Sequence, residues 1–313
     1  MTAPDIDNRN YNHYDPSKVF DLSCAGDYEI WRRSKLNALP VQVEALKVQI
    51  KNPYLLDEDE VVAITQRCAV FGVAIYQLME PPQNDKTWVH QFGHQLGLVS
   101  LDSNLRADED SVSSLQVRPQ QGNQYIPYTN KPLSWHTDGY YNTADRQIRT
   151  IIMHCASPAA NGGVNQLLDH ELLYIYLRDE NPAWIEALMH PQAMTIPANV
   201  EEGVEIRGAS TGPVFSVDEA TGSLHMRYSA RKRNIEWRDD LLTRQAVKRI
   251  SEWLADETIT IQHRLNAGQG IICNNILHNR SGFEDSDTQQ RLMYRARYYD
   301  RIAGTGHDAS FSL

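Results

Sequence analysis

Cysteine is scarce in this sequence, and the four cysteines among its 313 residues are widely spaced. They are Cys24, Cys68, Cys155 and Cys273, and no two of them form a C-x-x-C pair. Disulfide frameworks and cysteine zinc sites both need several closely spaced cysteines. The sequence therefore argues against both, and it favours a reducing, cytoplasmic setting.

Long apolar runs and basic runs are also missing. No apolar stretch approaches the roughly 18 residues of a membrane-spanning helix, and the polar N-terminal segment lacks the apolar centre of a signal peptide. Acidic residues outnumber basic ones by 40 to 30, which gives a formal net charge of −10. We therefore expect neither a membrane nor a nucleic acid as a partner.

The first third of the chain favours helices. Residues 1–33 show no clear period, and we expect an arm that lies on the domain or is partly disordered. Pro40 interrupts a short helical pattern that resumes to about residue 50. Asp57 is typical of a helix N-cap and Gly72 of a helix end, which predicts a helix between them. A buried strand is predicted at Val73–Leu78 and a second helix at Asp85–Leu96.

Strand patterns dominate the rest of the chain. The predicted strands are Ser114–Arg118, Ser134–Asp138, Ile148–Cys155, Asn165–Asp169, Pro213–Val217, Ser223–Tyr228, Thr258–Leu265, Ile271–Asn274 and Gln290–Tyr299. Helices are predicted at Asp169–Leu177, Pro182–Met189 and Asp239–Asp256. Many strands with helices before and between them predict a mixed α and β fold with a β core flanked by helices. A double-sheet jelly roll is one way to bury such strands.

A His-x-Asp triplet stands in one of these strands. Alternate side chains of an extended strand share a face, so His136 and Asp138 are expected side by side with Thr137 turned away. The pair is two-thirds of the 2-His-1-carboxylate set that holds non-haem Fe(II) and leaves coordination positions open. Such triplets are common by chance, and the alternative is a hydrogen-bonded polar pair in a loop.

A third ligand has to come from another strand. His278 is the best candidate, because it stands at the end of an apolar strand bounded by glycine, where rigid scaffolds present functional groups. His154 competes with it from within another apolar strand. The alternative for His154 is a buried structural histidine.

Three arginines fall on one face of the last predicted strand. That face consists of Arg291, Met293, Arg295 and Arg297, and the other of Leu292, Tyr294 and Ala296. If the apolar face is internal, the arginines form a solvated outer face. If the arginine face lines a barrel mouth, it binds anions, and a guanidinium can hold a carboxylate in a bidentate manner. Periodicity does not choose between the two.

A series of motifs between about residues 125 and 300 resembles the taurine dioxygenase / γ-butyrobetaine hydroxylase family of Fe(II)- and 2-oxoglutarate-dependent dioxygenases. The motifs are Tyr128-Thr129, Leu133–Asp138, Met153–Cys155, Gly162–Asp169, Asn181-Pro182, Leu265–Gly270, Asn275 with Leu277–Arg280, and Arg291 with Ala296. They occur in the order that is typical of the family and cover more than half of the chain.

The resemblance implies a double-stranded β-helix in which His136, Asp138 and His278 bind iron. It assigns Arg291 to the far carboxylate of 2-oxoglutarate. Asn165 stands where taurine-dioxygenase-like members have a hydroxyl residue that binds the same carboxylate, and an amide can also donate a hydrogen bond. The implied cofactors are Fe(II), 2-oxoglutarate and O₂, with ascorbate as a candidate stimulant.

The resemblance also implies a reaction and a domain plan. Oxoglutarate is converted to succinate and CO₂ while the substrate is hydroxylated. Asp138 disfavours halogenation, since related halogenating enzymes lack this carboxylate. We expect residues 1–55 to form an N-terminal arm and short helix packed on the core, and residues 56–313 to form a single dioxygenase domain.

Two features of the sequence point to different substrates. The aromatic residues around the triplet are Tyr125, Tyr128, Trp135, Tyr140 and Tyr141. Such residues form a cage for trimethylammonium groups in γ-butyrobetaine hydroxylases, and Tyr128 matches one cage tyrosine. The remaining cage positions fall on Ser111, Leu115 and Arg297, which are not aromatic, and ordinary packing is the alternative for the aromatics.

Arg295 favours an anionic substrate. Taurine-dioxygenase-like members carry a second arginine four positions after the cofactor arginine, and it binds the substrate sulfonate. The sequence therefore predicts hydroxylation of a small anionic or zwitterionic metabolite, with Arg295, Arg297, Tyr128 and Tyr140 as candidate substrate-binding residues. A betaine hydroxylase, a protein hydroxylase and a non-catalytic metal-binding relative are the alternatives. A homo-oligomer is left open.

Overall fold

A computed structural model of the protein describes residues 14–39, 42–82, 85–102, 111–117, 126–201, 203–231 and 233–307. Within these residues the α-helices are α1 (Ala25–Asn37), α2 (Glu58–Phe71), α3 (Trp88–His94), α4 (His170–Glu180), α5 (Pro182–Met189) and α6 (Leu241–Trp253). In the described parts of the chain, no helix has both the length and the apolar character needed to cross a membrane.

The strands are short and numerous. In the first half they are β1 (Lys47–Ile50), β2 (Val73–Leu78), β3 (Ser113–Leu115), β4 (Leu133–His136), β5 (Thr150–Ser157), β6 (Asn161–Gly162) and β7 (Asn165–Leu168). Next come β8 (Met194–Ile196), β9 (Asn199–Glu201), β10 (Val204–Arg207), β11 (Ser210–Gly212), β12 (Phe215–Val217), β13 (Leu224–Met226) and β14 (Glu236–Trp237). The last are β15 (Ile261–His263), β16 (Gln269–Cys273), β17 (Leu277–Arg280), β18 (Phe283–Glu284) and β19 (Leu292–Tyr298).

Two sheets dominate the architecture. The larger has the order β1-β2-β16-β5-β19-β3 and is antiparallel except for the β1–β2 pair. The smaller has the order β15-β7-β17-β4 and is antiparallel throughout. The expected mixed α and β fold, with helices flanking a β core, is confirmed at this level.

Three apolar cores lie between and outside these sheets. The inter-sheet core joins both sheets and contains Ile75, Ile151, Cys155, Leu167, Ile271 and Met293. The α2–α3 core covers the outer face of the larger sheet and contains Ile64, Tyr76, Trp88, Phe92, Ile152, Ala296 and Tyr298. The α4–α6 core covers the outer face of the smaller sheet and contains Trp135, Leu168, Leu173, Ile185, Ala246 and Leu277. Strand residues thus alternate between the inter-sheet core and a helix layer.

Local signals placed many of the elements correctly. Asp57 caps α2 in a reciprocal arrangement: its side chain accepts from the Glu60 backbone N–H, and the Glu60 carboxylate accepts from the Asp57 backbone N–H. Gly72 ends that helix at φ +72°. The predicted strand Val73–Leu78 and the helix Pro182–Met189 have the observed bounds.

The N-terminal part of the prediction was wrong in two places. Residues 25–37, read as aperiodic up to residue 33, form the continuous helix α1, which buries Tyr28, Trp31 and Lys35. Residues 47–50, read as the end of a helix, form β1, which pairs in parallel with β2. Tyr28 and Trp31 pack in the α4–α6 core, so α1 is held by residues far away in the sequence. The proposed boundary at residue 55 stays a prediction.

Candidate metal centre

Two histidines face each other across the smaller sheet. His136 ends β4 and His278 lies in β17, and they are direct partners in the register of these strands. Their ring centroids are 4.3 Å apart. The preceding residues Trp135 and Leu277 pack in the α4–α6 core. Strand alternation therefore turns both imidazoles to the inter-sheet side.

Asp138 completes the cluster just beyond the end of β4. Its Oδ1 lies 3.3 Å from His136 Nε2 and 3.9 Å from His278 Nε2. The potential ligand atoms of the three residues all lie within 4.8 Å of one another, and this is the one group of His, Cys, Asp or Glu side chains with such spacing in the described residues. The three side chains are almost completely shielded from solvent.

The histidines present the ring nitrogen that a metal needs. Nδ1 of His136 lies 2.9 Å from the Ser134 carbonyl oxygen, and Nδ1 of His278 lies 2.9 Å from that of Ile276. A carbonyl oxygen only accepts, so each Nδ1 carries the proton and each Nε2 keeps its lone pair. Metal-bound histidines commonly have this second hydrogen bond to a backbone carbonyl. The donor set fits the 2-His-1-carboxylate site of non-haem iron proteins.

The electrostatic environment favours the ligating protonation states. Burial alone would raise the pKa of Asp138, but the Arg295 guanidinium above all, with the neighbouring His136, Arg297 and His278, holds it well below its usual value. Burial lowers the pKa of His278 to about 4. Asp138 is therefore a carboxylate and His278 a neutral imidazole at neutral pH, which are the forms that bind a cation.

Asn275 fixes the backbone of Asp138. The Asp138 backbone N–H donates to Asn275 Oδ1 at 2.8 Å, and Asn275 Nδ2 donates to the carbonyl oxygens of Asp138 at 2.9 Å and Ile148 at 2.6 Å. Asn275 has φ +50°, a conformation that asparagine adopts more readily than most residues. The sequence motifs include Asn275, but they did not predict this positioning role. An asparagine between a strand end and a candidate ligand was the available signal.

The arginine face of β19 is internal. Met293 packs in the inter-sheet core, whereas Ala296 and Tyr298 pack in the α2–α3 core. Arg291 and Arg297 are only 5% and 4% exposed. Of the two orientations that the alternation allowed, the structure therefore has the one in which the arginines line the interior.

Arg291 and Asn165 line one small cavity between the sheets. The Arg291 guanidinium lies 5.0 Å from the centre of the Phe283 ring, and burial lowers its pKa. Gly162 and Gly163 form part of the wall at φ +70° and +71°. A Cβ on Gly162 would lie 2.3 Å from a backbone carbonyl oxygen, so only glycine allows this close approach of β6 and β18.

The other two arginines of the β19 face have carboxylate partners. Arg295 Nη1 lies 3.2 Å from Asp138 Oδ2, and Arg295 Nε is buried without a hydrogen-bond partner in the described residues. Arg297 forms a buried ion pair with Asp102 and donates to the Tyr141 hydroxyl at 2.8 Å. Arg295 is thus beside the candidate ligands, and Arg297 is occupied by its own partners.

The candidate aromatic residues do not share one core. Tyr128 packs against the inter-sheet core, whereas Trp135, Tyr140 and Tyr141 belong to or pack against the α4–α6 core. Tyr140 and Tyr141 meet edge to face at 5.2 Å. Leu115 is in the inter-sheet core, and Tyr125 lies outside the described residues.

His154 lies on the opposite face of the larger sheet from the cluster. Its ring stacks between Tyr76, at a centroid distance of 5.9 Å, and Tyr294, at 6.2 Å. Burial lowers its pKa to about 4. This environment fits the structural alternative that was considered for His154.

The model of the family described as "Taurine catabolism dioxygenase TauD, TfdA family" matches residues 35–297. The chain belongs to the TauD/TfdA family. It is a non-haem iron dioxygenase, and its cofactors are Fe(II), 2-oxoglutarate and O₂. The family resemblance seen in the sequence motifs is confirmed.

Relatives of this TauD/TfdA protein include two uridine-5'-phosphate dioxygenases. One, from Amycolatopsis sp, is 29% identical over 170 residues, which are 52% of this chain and 60% of the relative. Another, from Streptomyces sp, is 28% identical over 203 residues, which are 61% of this chain and 71% of the relative. The match to the Amycolatopsis protein thus spans less than two-thirds of that protein's length.

Solved structures share the fold at low identity. An asparagine oxygenase in complex with Fe(II), 2S,3S-3-hydroxyasparagine and succinate has a TM-score of 0.56 at 13% identity, over 90% of this chain and 88% of that chain. The non-heme iron oxygenase OrfP, in complex with Fe, succinate and (3R,4R)-dihydroxy-L-Arg, has a TM-score of 0.58 at 13% identity, over 78% of this chain and 81% of that chain. At such identity the likeness concerns the fold.

Proposed function

We propose that this dioxygenase hydroxylates a small metabolite that carries an anionic group. The observation that carries the proposal is Arg295, a nearly buried guanidinium beside the candidate metal ligand Asp138. Its Nε has no hydrogen-bond partner in the described residues. A buried donor without a partner is unfavourable unless a ligand satisfies it, and a carboxylate, sulfonate or phosphate would do so.

In this proposal His136, Asp138 and His278 bind the iron. Asp138 Oδ1 is the oxygen nearest both imidazole Nε2 atoms, while Oδ2 faces Arg295. Iron bound there supplies the redox chemistry by which O₂ oxidises 2-oxoglutarate to succinate and CO₂ and hydroxylates a substrate C–H bond. One oxygen atom enters the succinate and the other enters the new hydroxyl group. The sheets around the site exclude water and hold the reactants.

Arg291 and Asn165 would bind the far carboxylate of 2-oxoglutarate. Arg291 lines their shared cavity, and the Phe283 ring beside Arg291 also lies 4.8 Å from the Arg280 guanidinium, so a second cation is close to the cavity. Burial and, to a smaller extent, the neighbouring charge of Arg291 lower the pKa of Arg280 to about 10. Buried like charges favour an anion between them. The Arg291 guanidinium forms no ion pair within the described ranges, so it is available to an anion.

A nucleoside 5'-monophosphate is the first substrate class to test. The two named relatives act on uridine-5'-phosphate, and a phosphate ester satisfies the anionic requirement of Arg295. Tyr128, which packs against the inter-sheet core, would then contact the organic part of the substrate, whereas a substrate contact of Tyr140 stays a prediction. A trimethylammonium substrate ranks lower, because its cationic head would meet Arg295 and because the candidate aromatics pack against different cores.

The finer structural predictions are also part of this proposal. The two sheets would be the two halves of a double-stranded β-helix, residues 56–313 a single dioxygenase domain, and residues 1–55 an arm packed on it. The cytoplasmic setting and the stimulation by ascorbate stay predictions, and a homo-oligomer is left open.

Succinate formation tests the proposed function. Purified protein is incubated with Fe(II), ascorbate, 2-oxoglutarate and a panel of phosphate, carboxylate, sulfonate and betaine compounds. We expect one anionic class to stimulate succinate formation, and we expect His136→Ala to abolish it. Arg295→Ala should raise the KM of that substrate at least about tenfold, because a charge-assisted contact is lost. Arg244→Ala, on the exposed surface of α6, is the matched control. An unchanged KM for Arg295→Ala would contradict the anion-binding role.

A further inference from the structure

Arg264 lies on the wall of the cavity that contains Arg291 and Asn165. It directly follows β15, in which His263 is the register partner of Asn165 in β7. Burial raises the pKa of the Cys155 thiol to about 11, and both Arg291 and Arg264 act against that rise. Arg264, which follows β15, and Arg291, which precedes β19, thus lie on the wall of the same cavity as this thiol.

The protein uses only part of the hydrogen-bonding capacity of Arg264. Its Nη2 donates to the carbonyl oxygens of Ala159 and Ala160, in the loop after β5. Its Nε is buried and has no hydrogen-bond partner in the part of the chain that the structure describes. The backbone contacts hold the guanidinium in place while leaving a donor unsatisfied. Such a group is explained by a ligand that accepts a hydrogen bond.

The two arginines of the cavity also lack an ion-pair partner in the described residues, although the Asp285 carboxylate lies near enough to Arg291 to oppose the fall in its pKa. Within the described ranges, neither Arg264 nor Arg291 forms an ion pair, whereas Arg295 pairs with Asp138 and Arg297 pairs with Asp102. Of these four arginines, two have partner carboxylates and two do not. Two guanidinium groups around one small cavity suit a carboxylate, because each of its oxygens can accept from a separate donor.

We infer that Arg264 is a second cosubstrate-binding arginine, which contacts the far carboxylate of 2-oxoglutarate together with Arg291. The inference rests on the proposed function, since it places the cosubstrate in this cavity. It goes further because Arg264 lies outside the motif in which a single arginine after the second histidine binds the cosubstrate. Arg264 would determine the choice of 2-oxoglutarate over 2-oxo acids that lack the far carboxylate.

Binding of two 2-oxo acids tests the inference. Anaerobic calorimetry with the Fe(II)-loaded protein gives the Kd of 2-oxoglutarate and of 2-oxopentanoate, which has the same chain length without the far carboxylate. The variants are Arg264→Gln, which keeps an N–H donor for Ala159 but removes the charge, and Arg264→Lys, which keeps the charge. We expect Arg264→Gln to raise the Kd of 2-oxoglutarate about 10- to 100-fold and to leave that of 2-oxopentanoate unchanged. Arg264→Lys should give an intermediate Kd.

Each other outcome overturns the inference in a distinguishable way. An unchanged Kd of 2-oxoglutarate in Arg264→Gln would show that Arg264 does not contact the carboxylate. Equal weakening of both acids, together with a lower Tm, would show that Arg264 only holds the loop at Ala159. If the wild-type protein bound 2-oxoglutarate no better than 2-oxopentanoate, the cavity would not be the cosubstrate site, and the proposed function would fail with the inference. Arg244→Ala should match the wild type throughout.

Discussion

Replacement of Asn275 by alanine is expected to damage the stability of the protein and its metal site together. Asn275 is 1% exposed, and its side chain pairs with one backbone N–H and two carbonyl groups around Asp138. Each buried polar group that loses its partner costs about 1–3 kcal/mol. Because such losses are not additive, we expect Asn275→Ala to reduce the free energy of unfolding by about 3–5 kcal/mol. The loss corresponds to a decrease in Tm of about 10 °C.

The second effect concerns the metal. Asp138 extends past the end of β4, so its position depends on the hydrogen bonds from Asn275. Residues that orient a metal ligand typically contribute about 10- to 100-fold to metal affinity. Anaerobic calorimetry with Fe(II) on folded protein, below the lowered Tm, should show a loss of that size. Asn275→Gly separates the effect of backbone strain from the loss of the side-chain hydrogen bonds, since glycine tolerates φ +50° but cannot make those bonds.

Asn274→Ala is the matched control for Asn275→Ala. Asn274 is the neighbouring buried asparagine, and its Nδ2 donates to the Cys68 carbonyl and the Thr305 hydroxyl, away from the cluster. It should lower Tm and leave Fe(II) affinity unchanged. If Asn275→Ala bound Fe(II) as tightly as Asn274→Ala, the role assigned to Asn275 in positioning Asp138 would be refuted.

Two further predictions concern regions outside the metal centre. Gly162→Ala should lower both the stability and the affinity for 2-oxoglutarate, because its Cβ would clash with a backbone carbonyl oxygen. Gly203→Ala is the control: its Cβ would lie in open space at φ +82°, and the free energy of unfolding should fall by only about 1 kcal/mol. An equal Tm of the two variants would contradict this prediction. The second prediction concerns Glu171, whose buried carboxylate lies 2.5 Å from Lys35 Nζ and 3.0 Å from His307 Nε2. Burial alone would raise the pKa of Glu171, but these two partners hold it well below its ordinary value. Glu171 therefore contributes stability that is fully present above the unfolded pKa of about 4.3 and is lost as the pH falls toward the lower folded pKa. The difference in Tm between wild type and Glu171→Gln should be constant from about pH 6 to 8 and shrink below about pH 4.3, and a difference that grew on acidification would disprove the assignment.

The sequence missed α1 because part of the signal lay elsewhere in the chain. Tyr28, Trp31 and Lys35 have helical spacing, but a lysine is not expected on a buried face. Lys35 is buried because its ammonium meets Asp169 at 2.6 Å and Glu171 at 2.5 Å, more than a hundred residues later. Asn275 and Arg264 were missed for a similar reason, since their hydrogen-bond partners lie more than a hundred residues earlier in the chain.

The sequence alone determined what depends on neighbours along the chain. The capping residues of α2, the glycine at its end and the strand spacing of His136 and Asp138 are local, and the ordered motifs identified the family. Which face of β19 is internal was decided only by the tertiary structure. Strand alternation separates the arginines from Leu292, Tyr294 and Ala296 in either orientation. The helix layer covers the apolar face, which leaves Arg291 and Arg295 between the sheets, where an anion is their natural partner.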